Sequence, residues 1–122
     1  MTRGCLSSTD VVSSFPFLER NSPLVTFITN IKFTQQGVKG IDDSTKRAAA
    51  FKAAAKKLGA KVTNVYWTLG EYDGLLILEA PDDETAMTAL LHLASAGNVH
   101  TTTVRAFTGA EIDKIVAKVH VG

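Results

Sequence analysis

The chain is poor in the features that usually announce a chemistry. It has one cysteine, Cys5, so it cannot close an internal disulfide, and that thiol sits in a polar N-terminal stretch as an ordinary surface group. It has almost no net charge: 13 basic residues against 12 acidic ones give a formal +1, which offers no electrostatic reason to expect nucleic acid or an anionic membrane as partner. It has no apolar run near the roughly 20 residues needed to span a bilayer. The N-terminus carries one arginine and no continuous apolar region, so no secretory signal is read and a cytoplasmic protein is expected. The three histidines fall in separate places with no HxH or HExxH spacing and no cysteine pair, so neither a metal nor another cofactor is expected. Gly37 and Gly40 lack the spacing of a nucleotide loop.

What remains is 122 residues, 45% of them hydrophobic, enough for one ordinary domain with a real core. Residues 1–23 are rich in Ser and Thr and broken by Pro16 and Pro23; they are expected to form a poorly ordered extension, with a strap built on Phe15, Phe17 and Leu18 as the alternative. The domain proper is read as residues 24–122. LVTFITNIKF is β-branched and aromatic on both parities, the mark of a strand covered on both faces. TQQGVKG reads as a loop. Asp42, Asp43 and Ser44 offer N-caps for a helix that Gly59 ends, with Ala48, Phe51, Ala55 and Leu58 on its buried face.

Residues 66–81, YWTLGEYDGLLILEAP, read as a β-hairpin turning at Gly70-Glu71, where glycine accepts the positive φ of a type II′ turn. That turn pairs Trp67 with Gly74, Tyr66 with Leu75 and Asn64 with Ile77, and sets Tyr72 against Leu69. Asp82, Asp83 and Glu84 begin a second helix with Ala86, Leu90 and Leu93 inside, and VHTTTVRAF supplies a fourth strand. Thr108 and Glu111 form a T-x-x-E capping box ahead of a short amphipathic helix bearing Ile112, Ile115, Val116 and Val119.

The order β, α, β, β, α, β with a C-terminal helix is the ferredoxin-like α+β pattern: a four-stranded antiparallel sheet with its first and third strands in the middle and both main helices on one face. Both central strands are apolar on both faces, yet the helices cover one. A second copy of the sheet would cover the other, so a homodimer or higher even oligomer is expected.

The hairpin resembles the signature of the GYD domain family, with Gly70, Tyr72 and Asp73 as the named residues and Glu71 interposed. FTQQG, KRAAAFKAAAKKLGAKV, LEAPDDE and GNVHTTTVRAFT are similar to further stretches of that family, and the resemblance spans about residues 24–117. It implies the dimeric α+β barrel arrangement, in which two sheets face each other, and supplies no catalytic residues. Two functions stay open, with a purely structural interaction protein as the third and blandest. One is a homodimeric small-molecule-binding or regulatory module. The other is a cofactor-independent enzyme, monooxygenase- or isomerase-like, using Tyr66, Asp73 or Glu79 as acid or base. Alternation along the hairpin puts Asn64, Tyr66, Asp73 and Glu79 on the helix-free face, and these, with Arg105 from the last strand, are the candidate ligand-binding set.

Overall fold

The computed structural model describes residues 24–120. Four strands, β1 (Val25–Phe33), β2 (Lys61–Trp67), β3 (Gly74–Ala80) and β4 (Val99–Ala106), form one antiparallel sheet in the order β2-β3-β1-β4. The two strands that are apolar on both parities, β1 and β3, are the inner pair, as their composition requires. The main helices α2 (Ser44–Lys57) and α3 (Asp83–Ser95) lie together on one face, and α4 (Gly109–Val116) follows β4. The arrangement is the ferredoxin-like α+β fold.

Alternation divides the sheet cleanly. Phe27, Thr29 and Ile31 of β1 and Gly74, Leu76, Leu78 and Ala80 of β3 point to the helices and are buried. They pack with Phe51 and Ala55 of α2 and with Ala86, Ala89 and Leu90 of α3 in a single cluster. The one buried polar side chain among the described residues, Thr29, is satisfied by Thr103 Oγ1 at 2.9 Å. A bulge at Thr63 flips the parity of β2, so that Val62 and Val65 can both face the helices.

Three local expectations change. Residues 34–40 are not a loop: α1 (Gln35–Lys39) occupies most of that segment, and a 3₁₀ turn (Ile41–Asp43) follows it. The cause is nonlocal hydrogen bonding. Thr34 caps α1 by accepting from Gly37 N at 3.0 Å, while its amide donates to Asn98 O at 3.0 Å and its hydroxyl to Gly97 O at 2.7 Å. Gln36 Nε2 adds bonds to Ala96 O and Asn98 Oδ1, both 3.0 Å. Asp43 occupies the N-cap position of α2 without a side-chain bond, and Leu58 lies past the helix end and is exposed. In the hairpin the paired strands stop at Trp67 and Gly74, but Thr68 N still donates to Asp73 O and Gly70 has a φ of 136°, so the expected register holds. Leu69 is wholly exposed and gives Tyr72 nothing to pack on.

Gly37 is the tightest point of this framework. A Cβ there would lie 2.1 Å from the backbone oxygen of Asn98, so any side chain must push α1 off the turn before β4. Gly37→Ala should therefore destabilise the fold by about 1–3 kcal/mol, measured as a lower urea midpoint.

Both later helices have a carboxylate bonded to a backbone amide in their first turn or at their cap. Asp82 accepts from Thr85 N at 2.8 Å, and Thr108 and Glu111 complete a reciprocal capping box. The Thr85 backbone bond holds Asp82 below the usual aspartate range, and the Thr108 backbone bond does the same for Glu111. Because both folded-state values are depressed, the stability these groups contribute is complete above their unfolded values and is lost as pH falls through the folded ones. The Thr85 amide resonance should titrate with a midpoint below the ordinary aspartate range. Asp82→Asn, which keeps a capping oxygen but has nothing to protonate, should abolish that titration and leave α3 intact.

Candidate functional site

The helix-free face of the sheet is assembled from the other parity of each strand. Its central row runs Asn64, Ile77, Ile28, Val104 across the four strands; Tyr66, Leu75, Asn30 and Thr102 lie on one side of it, and Lys61, Glu79, Thr26 and Ala106 on the other. No described helix packs on this surface. Among the described residues α4 buries no side chain, and its stripe of Ile112, Ile115, Val116 and Val119 is exposed. Val104 is 52% and Tyr66 53% exposed, while Ile28, Leu75 and Ile77 are half-buried between their strand neighbours.

Of the five candidate residues, Asn64, Tyr66 and Glu79 stand on this face. Asn64 Nδ2 donates to Tyr66 Oη at 3.2 Å, two residues along the same strand. Glu79 sits opposite Lys61 and Thr26, one row beyond Ile77. Asp73 is elsewhere. It lies six residues from Glu79, about 20 Å along an extended chain, so the two carboxylates do not converge. Its Oδ2 accepts from Phe33 N at 2.8 Å and its own amide donates to Ile31 O at 2.8 Å, which ties the base of the hairpin to the end of β1.

Arg105 corrects the expectation most sharply. It pairs with Phe27, which points to the helices, so its side chain is on the opposite face from Asn64, Tyr66 and Glu79. There the guanidinium stacks 4.3 Å over Phe107, meets Glu111 at 3.8 Å and bonds Ala106 O. Its charge serves the junction between β4 and α4.

A cavity that the sequence reading did not foresee lies on the helix side, at the end of the domain where α1 meets the turn before β4. It holds about 220 Å³, and its walls include Phe33, Phe51, Trp67, Leu76, Leu93 and Val99. Alternation puts Trp67 beside Gly74 on this side, but the indole is 48% exposed and its Nε1 donates to Ser44 Oγ at 2.7 Å, bridging the hairpin to the first turn of α2. Arg47 borders the same space. Its Nη1 and Nη2 donate to Gly40 O at 2.6 Å and Gly37 O at 3.2 Å. Among the described residues no three His, Cys, Asp or Glu side chains gather to hold a metal, and no helix is long and apolar enough to cross a membrane.

The fold and its uncovered sheet face define a small ferredoxin-like α+β protein. More particularly, the chain belongs to the GYD domain family, whose model matches residues 27–116. It is 33% identical over 88 residues, 71% of this chain and 93% of the relative, to a Thermus thermophilus protein described as a glutamine synthetase and cystathionine beta-lyase binding protein. It is similar in fold to a feast or famine regulatory protein from M. tuberculosis solved with L-methionine, at a TM-score of 0.57 and 17% identity. That likeness covers 74% of this chain and about half, 54%, of the other.

The geometry gives Asp73 a structural duty. Asp73→Ala would leave the Phe33 amide without its acceptor, and a part-buried donor so orphaned costs about 1–3 kcal/mol. Urea denaturation should show that loss, and a smaller one for Asp73→Asn, which keeps an acceptor oxygen.

Proposed function

We propose that this chain is a cytoplasmic, homodimeric binding and regulatory module that acts by holding another protein rather than by transforming a substrate. The observation that carries the reading is the uncovered apolar row of Ile28, Ile77 and Val104 in the middle of the sheet. Apolar surface removed from water contributes about 25 cal/mol per Å², so leaving the hydrophobic side of an inner strand pair wet is costly. A second copy fits that face well, because a two-fold axis through its centre would set apolar row on apolar row and polar margin on polar margin. The name of the Thermus relative supports protein binding, and the engagement of the Asp73 carboxylate with the Phe33 amide leaves the candidate base set without one of its carboxylates.

The joined faces would also enclose Asn64, Tyr66 and Glu79. This is the polar lining expected of a small-molecule cleft on the helix-free side.

Sedimentation at micromolar concentration should give a dimer or a higher even oligomer. Ile77→Asp, which puts a charge into the central row, should yield monomer or unfolded chain, whereas Thr88→Asp on the exposed side of α3 should change nothing. A wild-type protein that sediments as a clean monomer would remove the basis of this reading.

A further inference from the structure

We propose that the helix-side cavity is a second site, built to take a small aromatic carboxylate. Its size, its walls and its charge each narrow the occupant. A cavity of about 150 Å³ holds a benzene ring, so about 220 Å³ takes one ring with a short acid arm. The walls present Phe33, Phe51 and Trp67 together with aliphatic side chains, an apolar lining that suits an aromatic ring. Ala48, where a larger side chain would fill part of the void, lines it instead.

The charge points to an anion. Ser44, Arg47, His92 and Asn98 line the cavity, and no Asp or Glu does. No carboxylate among the described residues lies within 4 Å of Arg47. Two of the five guanidinium N–H donors are spent on the carbonyls of Gly37 and Gly40, which hold the group in place and leave three. Gly37, having no Cβ, lets α1 close on the backbone of Asn98, whose residue lines the same cavity as Arg47. The Asn98 carbonyl oxygen already accepts from Gln36, which leaves its NH₂ as a donor. Preorganised donors without an internal acceptor at the edge of an apolar chamber match a carboxylate on a ring.

Trp67 is the single tryptophan of the chain and borders the cavity, so its fluorescence reports occupancy. Phenylacetate, phenylacetamide and phenethylamine are the probes, equal in shape and different in charge. Phenylacetate should give a saturable change in Trp67 emission and bind roughly tenfold tighter than the amide, the order of one charge-assisted hydrogen bond; the amine should give no response. Ala48→Leu should abolish the response to both binders without lowering the melting temperature, and Arg47→Met should bring phenylacetate and phenylacetamide to equal affinity. Ile77→Asp in any folded form should bind phenylacetate as wild type does, since the cavity lies across the sheet from the proposed dimer face. No saturable response, equal affinity for the three probes, or an Ala48→Leu protein that responds unchanged would each overturn the proposal.

Discussion

The structure depends on one imbalance: a sheet with apolar side chains in the middle of both faces, served by a single layer of helices. Phe27, Ile31, Leu76 and Leu78 find α2 and α3, but Ile28, Leu75 and Ile77 on the same two strands find no described element. Shifting either strand by one residue would exchange the two sets and turn Thr26, Asn30 or Glu79 toward the helices, so the polar margins resist a slip. Local contacts reinforce that register. The hairpin connection after Trp67 and the Asp73 carboxylate do this, the first by aligning β2 with β3 and the second by pinning β3 to the end of β1. The Gly, Tyr, Asp signature thus reads as a device for alignment, with Gly70 accepting a positive φ and Asp73 supplying an acceptor where the ladder ends.

A second fastening works at the same end of the sheet. Thr34 and Gln36 reach the turn before β4, Gly37 allows α1 to touch it, and Arg47 ties α2 to the carbonyls of Gly37 and Gly40. These bonds fix Arg47 of α2 and Asn98 at the entry to β4, both of which border the helix-side cavity. The space persists because polar groups hold its border while alanines line part of its wall.

The sequence was legible where the information is local or strictly periodic. The inner position of β1 and β3, the pairing of Trp67 with Gly74 and the Thr108–Glu111 capping box follow from alternation, turn chemistry and short spacing. Residues 34–40 were misread because the bonds that fold them run to Ala96, Gly97 and Asn98, about sixty residues away, and leave no periodic trace. Arg105 was set on the wrong face because only its pairing with Phe27 decides which way it points. Asp73 and Glu79 do share a parity, but a common face is not a common place when six residues separate them. The cavity had no signature at all, since alanines on a helix can mean close packing or a hollow, and only the distance to the facing strands distinguishes the two.

The central claim is that a second copy of this chain covers the helix-free face. Isotope-filtered NOE spectroscopy on a mixture of labelled and unlabelled protein tests it directly, because only contacts between copies give a signal. The account predicts intermolecular NOEs at the methyls of Ile28, Ile77 and Val104 and at the Tyr66 ring, and none at Leu91 on α3. Intermolecular contacts confined to α3, or no such contacts at millimolar concentration, would contradict it.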